Sequence, residues 1–551
     1  MDASRPDGTV PGDDGGGGQP EASTDAGAGD ASTDADGGGQ DASTTLDWPP
    51  GHSFPTFPPV QALDVADITG LTTDEQYLFA TLEGVVNRTE PRIYLRNAGE
   101  DQEDVDGGAF WLGMINVPKT TVADPHTLLT KYRSEIAGVI IWDPSVIDTV
   151  NLATTMAGFE GGVVASPSLA ATLLGAPYNL PVLADLRTMA FKSAGDVYTY
   201  ELSAYQSKAT TRLIIGLDPT RTDPLRDYAI ATQALVVWLD PTKASTDRVL
   251  LDKFLAGLTP NAPYMGWWTN EAVGVGAAPE HGVPTFAADW SRNLTVYSGV
   301  PTTIQPPARP TAPTLATKAY VAIFMSDGDN LQENQHLIPL KWADPARGKV
   351  PISWTVQPAL VDVAPLMLQY YYATATANDV LVSGPSGLGY TYPQNWPVSL
   401  FAQYTAHSAD YLARAGLDVI TVWNNGALLS ADPTQASDYA TSIPHLLGVT
   451  DQLGGGGLSL IDSALPLLVF ATGYGETEQA LEGAINNQLG SWTKSAPLFL
   501  AVQGDMNQSV INPTSFLAVQ NYFASNSDVV FVRGDHLFQL IRQSKGLPTD
   551  P

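Results

Sequence analysis

The sequence predicts an α/β protein: a C-terminal (β/α) barrel, preceded by an α/β region of diverged repeats and an acidic, disordered tail. Three observations carry this reading. After residue 317, continuous apolar runs alternate with helical patterns, as parallel strands covered on both faces require. Before residue 300 a similar alternation recurs less regularly. Between the two lies "GVPTTIQPPARPTAPTLA", a Pro- and Thr-rich stretch with the stiffness of a linker. The expected boundaries are a tail over 1–46, an N-terminal α/β domain over 47–300, a linker over 301–316 and the barrel over 317–551.

The tail is almost wholly Gly, Asp, Ala, Ser, Thr and Pro, with ten acids and one arginine in residues 1–46. It has too little apolar surface to offset the entropy of ordering and is expected to be disordered. Such a tether resembles the segment behind the acylated cysteine of a bacterial lipoprotein. On that reading a signal peptide and an anchoring cysteine stood where Met1 now begins the chain. The expectation is an exported protein: a periplasmic or cell-surface lipoprotein, or a secreted one.

The whole chain carries 58 acidic and 27 basic residues, a net charge of -31. A field of that sign repels phosphates and argues against nucleic acid or an anionic membrane as partner. No apolar run reaches the roughly 18–20 residues needed to span a bilayer. With no cysteine in 551 residues, disulfides, thiolate catalysis and cysteine-ligated zinc are excluded. A monomer is expected.

In the N-terminal region the clear strands are "RIYLR", "GVIIWDP", "RLIIGLDP" and "ALVVWLDP", each a short β-branched run with a polar or proline stop. The first follows an amphipathic helix with Thr72 or Thr73 as its N-cap. The matching "IIWDP" and "VVWLDP" endings suggest internal repeats.

After the linker, eight strand candidates appear, of which "HLLGVTD" is the weakest. Seven or eight βα units in this length fit a barrel, with an open doubly wound sheet as the alternative. Each candidate ends in polar residues: Asp327 and Asp329, Gln357, Ser383, Asn424 and Asn425, Asp451, Glu476, Gln503 and Asp505, and Asp535 and His536. A barrel gathers such ends on one face, where its sites are built.

Asp327-Gly328-Asp329-Asn330 closes the first barrel strand. In extended geometry residues two apart point the same way, so both carboxylates would face one cavity and raise each other's pKa. The simpler alternative is an Asp-Gly turn. An EF-hand fails, because Leu331, Gln332 and Ile338 occupy its positions 5, 6 and 12. No cofactor is expected, although a divalent metal held by Asp327 and Asp329 stays open. Glu271, near Trp267 and Trp268, suits a general acid, since apolar surroundings raise a carboxyl's pKa; a surface glutamate beside core tryptophans is the other reading.

The most specific motif is "GLGYTYP", Gly387 to Pro393. It spells G-x-G-Y-x-Y-P in full, and with "LEGVVNRTEPRIYL", "ADWSRNLTVYSG" and the Asp-Gly-Asp-Asn it resembles the GxGYxYP family over about Leu63 to His536. The resemblance implies divergent N-terminal repeats, a seven-stranded β/α barrel and a cleft between them. It further implies glycoside hydrolysis, with catalytic residues mapping onto Glu271, Asp327 and Asp329. Two glycines permit tight turns, and Tyr390, Tyr392 and Trp396 could form a sugar platform or merely pack the loop. Asn330, Asn424, Asp505 and His536 complete the expected substrate contacts, together with the two tryptophans. "GPSGLG" is no nucleophile elbow, because Leu388 stands where the last glycine belongs. "GLGYTY" lacks the third glycine of a dinucleotide fingerprint.

The expected chemistry is glycosidic hydrolysis on a poly- or oligosaccharide. Glu271 would be the acid, one of the aspartates the base on water, and inversion is favoured. A non-catalytic glycan-binding protein and a metal-dependent carbohydrate esterase are the alternatives.

Overall fold

The computed structural model describes residues 46–98 and 108–551. Apart from Leu46, the expected acidic tail lies outside the described residues.

The chain before the linker folds into three small parallel sheets. β1 (Leu63–Asp67), β2 (Ile93–Arg96) and β3 (Lys119–Val122) form the first, with β1 central. β4 (Val139–Ile141), β5 (Val163–Ala165) and β6 (Val182–Asp185) form the second around β4. β7 (Ile214–Gly216), β8 (Leu235–Val237), β9 (Tyr264–Gly266) and β10 (Thr285–Ala287) form the third, in the order β10-β9-β7-β8. The four strands clearest in the sequence are β2, β4, β7 and β8, all but β2 buried throughout. The helix Thr73–Asn87 begins at Thr72 with a capping box closed by Glu75, a device worth about 1 kcal/mol. Its neighbour Arg226–Thr232 packs so closely that a Cβ at Gly84 would lie 2.9 Å from Asp227 O.

After the linker comes the larger sheet. β11 (Ala319–Met325), β12 (Ile352–Val356), β13 (Asp379–Ser383), β14 (Val419–Val422), β15 (Gly448–Asp451), β17 (Leu465–Val469) and β18 (Leu498–Gly504) are its parallel strands, with β16 (Gly457–Ile461) antiparallel to β17. The order is β16-β17-β15-β14-β13-β12-β11-β18. The sheet curls until its outer parallel strands approach: Ala471 N donates to Ala501 O and Gly475 N to Gln503 O, both at 2.8 Å. Helices between the strands cover the outside.

Two outcomes differ from the strand-by-strand expectation. "HLLGVTD" supplies β15, a full member held between β14 and β17. It reads weakly because the strand is short, but it is buried on both faces. β19 (Val529–Phe531) instead pairs only with the lower half of β11, Ala319 to Val321, while β12 takes the upper half. The chain then turns at Arg533 into the helix Gly534–Ser544.

That helix fills the lower mouth of the barrel. Phe538, Leu537 and Ile541 cluster with Tyr320, Ala322, Phe324, Val419 and Ala501. Alternation along β11 puts these on the inner face, whereas Val321, Ile323 and Met325 join the outer core. Gly448 is glycine because the Phe538 ring needs its space: a Cβ there would lie 2.0 Å from the ring.

Candidate active site

The Asp-Gly-Asp segment is a turn, not the last residues of a strand. β11 ends at Met325, and Asp327 adopts φ 62, with Asn330 N donating to Asp327 O at 3.1 Å. Strand alternation is therefore not what brings the two aspartates together; the chain reverses at Asp327 and places both above the barrel. Aspartate tolerates this left-handed conformation better than most residues. Gly328 lets the turn lie flat on β12, where a Cβ would meet Thr355 O at 1.7 Å. Gly384, beyond β13, leaves room for Asp329, whose Cβ would be 2.2 Å from an added methyl.

The aspartates differ in their surroundings. Asp327 Oδ2 accepts from Ser326 Oγ at 2.7 Å and Asn507 Nδ2 at 3.1 Å, and Oδ1 from the Tyr474 hydroxyl at 3.5 Å. Burial, and then the facing Asp505 carboxyl that also bonds to it, push the Asp327 pKa up to about 7. Asp329 is buried and stands well above the usual carboxylate range, by loss of water first and then by the charges of Asp327 and Glu271. Its backbone carbonyl accepts from Gln357 Nε2 at 2.7 Å.

Glu271 arrives from the third sheet of the N-terminal region. It is the first residue of the helix Glu271–Ala277, which Asn270 caps by accepting from Val273 N. β9 can deliver it there because Gly266, at φ 127, passes so close to β7 that a Cβ would overlap Gly216 O. The carboxyl opens to solvent at the cleft, yet the crowd around it raises its pKa by desolvation, partly countered by the Tyr390 hydroxyl donating at 3.1 Å. Its charge is felt by Asp327, Asp329 and Tyr474.

The GLGYTYP loop joins the two regions. Thr285 N donates to Tyr390 O at 3.1 Å and Tyr390 N to Thr285 O at 2.7 Å, an antiparallel bridge between β10 and the loop. Gly389, at φ 95, makes the approach possible, since a Cβ would press on Phe286 and Thr285 O. Tyr390 lies parallel to Trp267 with ring centroids 6.4 Å apart, and its hydroxyl is 3.2 Å from that of Tyr392 behind it. A second joint follows the aspartates, where Gln332 and Gln335 accept from Trp290 N and Arg292 N, each at 3.1 Å.

Of the residues expected to touch substrate, Trp267, Tyr390 and Asp505 gather around the carboxyl cluster. Asn330 begins the helix Leu331–Gln335 beside it. Five are not at the cleft surface. Trp268 is core, stacked on Tyr264 at 3.6 Å and donating to Thr285 Oγ1. Trp396 packs on Tyr404 and donates to Thr391 Oγ1. Tyr392, 1% exposed, supports Tyr390 from behind. Asn424 is buried, accepting from Gln394 N and donating to Asp432. His536 lies at the opposite end of the barrel, 2.8 Å from Pro310 O, because β19 reaches only half way up β11. Ser326, Tyr474 and Asn507 were not picked out in the sequence. Asn507 stands two residues past Asp505 at the end of β18, a position that could have flagged it; nothing marked Tyr474.

Among the described residues, no group of three or more His, Asp or Glu side chains is arranged to hold a metal ion, and no helix is long and apolar enough to cross a membrane.

A curled parallel sheet carrying carboxyl groups above its strand ends, faced by a glutamate from an attached parallel-sheet region, defines a two-part α/β protein with a cluster of carboxyl groups between its parts. The chain belongs to the GxGYxYP family. Residues 317–542 match the GxGYxYP "putative glycoside hydrolase" C-terminal domain, and 62–134, 136–208 and 211–299 match the family's first, second and third N-terminal domains. No curated protein matches the chain. A crystal structure from Bacteroides thetaiotaomicron VPI-5482, described as a "putative hydrolase", is similar with a TM-score of 0.77 at 22% identity, over 89% of this chain and 96% of that one. At that identity the likeness is one of fold.

Proposed function

We propose that this protein hydrolyses glycosidic bonds in the cleft between the barrel and the third N-terminal sheet. The observation that carries the reading is the opposition of Glu271 to the Asp327–Asp329 pair. Carboxyl groups reach one space from two directions, with raised pKa values that suit proton transfer near neutrality. Glu271 protonates the departing glycosidic oxygen. Asp327, the aspartate with three hydrogen-bond donors for its ionised form, activates water. Asp329, held protonated by burial, donates a hydrogen bond rather than taking a proton. Trp267, partly exposed and backed by the buried Tyr390 ring, offers a face for the apolar side of a sugar. A water-activating base corresponds to inversion of the anomeric centre.

The test is turnover on a panel of neutral oligo- and polysaccharides by the parent, Glu271→Gln and Asp327→Asn. Each substitution is expected to lower kcat by about 10²–10⁴-fold while binding persists. Turnover unchanged in both variants would overturn the reading; glycan binding without turnover in the parent would indicate a binding protein.

A further inference from the structure

Asp327 presents its two carboxyl oxygens differently. Oδ2 is held by Ser326 and Asn507, at 2.7 and 3.1 Å. Oδ1 has one described protein donor, the Tyr474 hydroxyl at 3.5 Å. The Asp505 carboxyl also bonds to Asp327; of the two oxygens Oδ1 is the less closely held by donors, its tyrosine partner sitting at the outer limit of a hydrogen bond.

Tyr474 is placed by the chain that closes the barrel. After β17 the backbone is fastened to β18 by the bonds from Ala471 N and Gly475 N, and Asp505 N donates back to Gly475 O at 3.1 Å. Tyr474 stands just before the second fastening, between Gly473 and Gly475. Its side chain is 39% exposed, so it contributes little packing, but its hydroxyl end turns in among Asp327, Asp329, Glu271 and Asp505. Loss of water there, and then those four charges, push the phenol pKa far up. The hydroxyl therefore keeps its proton and can only donate to a carboxylate.

We infer that Tyr474 is a positioning residue for Asp327, its hydroxyl holding Oδ1 toward the cleft and stabilising the ionised form. This deepens the glycosidase reading and rests on it for the word "base". The length of the contact fits the role, because the hydroxyl must yield when water or a sugar hydroxyl takes the oxygen.

The experiment is the titration of Asp327 in the substrate-free full chain, followed by ¹³C NMR of carboxyl-labelled aspartate and assigned with Asp327→Asn. Tyr474→Phe keeps the ring and deletes the hydroxyl. Its Asp327 midpoint is expected to rise by about half a pH unit or more, with the matching limb of the kcat/KM profile moving by the same amount. Tyr522→Phe, another exposed tyrosine, serves as control and leaves both unchanged. A thermal melt equal to that of the parent establishes that Tyr474→Phe is folded. An unchanged midpoint in folded Tyr474→Phe overturns the inference. A shifted midpoint in a protein that turns over no glycan upholds the contact and overturns the glycosidase reading instead.

Discussion

Asp505 decides how Asp327 behaves more than its distance in sequence suggests. Its carboxyl is the largest influence on Asp327 after burial, and acts by like charge and by a direct hydrogen bond. Asp505→Asn removes the charge and offers a donor in its place, so the Asp327 midpoint is expected to fall from about 7 toward the usual carboxylate range. If Asp327 is the base of the proposed function it acts when ionised, so the limb of kcat/KM that it controls should move to lower pH, as a pH–rate profile on any turned-over glycan would show. A limb that stays in place would remove Asp505 from the account. At this scale the family resemblance singled out Glu271, Asp327 and Asp329, and the structure brings their carboxyl groups within reach of one another's charge. The sequence was misleading for Trp268 and Trp396, since an aromatic next to a motif looks the same whether it faces a sugar or the core. Tyr474 left no signal, because a lone tyrosine in a Gly-rich loop has no periodic or spacing context.

The most informative element is the GLGYTYP loop. Read in sequence, its rings either form a sugar platform or pack the loop; in the structure Tyr390 is itself buried and reaches Glu271 with its hydroxyl, while the rest forms a joint. The glycines give the backbone the conformations it needs beside Thr285, and Tyr390 reaches from there to Glu271. Gly389→Ala would place a methyl at φ 95, 2.8 Å from the Phe286 ring. A cost of about 1–3 kcal/mol follows, measurable by denaturant unfolding. Activity should fall further than stability alone explains, since the displaced Tyr390 releases Glu271. Full activity in a folded Gly389→Ala would separate the loop from the chemistry. The barrel strands were readable because parallel strands buried on both faces are continuous apolar runs. Three of the six three-residue strands of the N-terminal sheets, β5, β9 and β10, were not, because so short a run has no period and no Asp-Pro stop follows them as it does β4, β7 and β8. β19 is a strand, as its apolar run suggests, but that it pairs with only the lower half of β11, below β12, is a tertiary outcome that its own residues do not encode.

Across the whole molecule, several buried acids have raised pKa values: Glu83, Glu201, Asp227, Asp289, Asp327 and Asp329. Glu201 is the simplest case. It accepts from Thr155 Oγ1 at 2.7 Å and Val236 N at 3.1 Å, and burial raises it from 4.5 to about 8. The folded state holds this proton more tightly than the unfolded chain. The stability it contributes is complete below pH 4.5 and is lost as pH rises toward 8. The loss is at most about 1.4 kcal/mol per pH unit. Glu201→Gln cannot lose a proton, so its stability should fall less steeply than the parent's between pH 5 and pH 8 in chemical denaturation; equal slopes would argue that Glu201 is not protonated in the fold.

The helix Gly534–Ser544 gives the molecule a direction. With Phe538 seated against Gly448 and its neighbours filling the lower mouth, the lower end of the barrel is closed by side chains and the carboxyl groups lie at the other end. On the proposed function, an arriving substrate and a departing fragment both pass over the face above Asp327, so accumulated product should slow turnover as a competitor of the substrate.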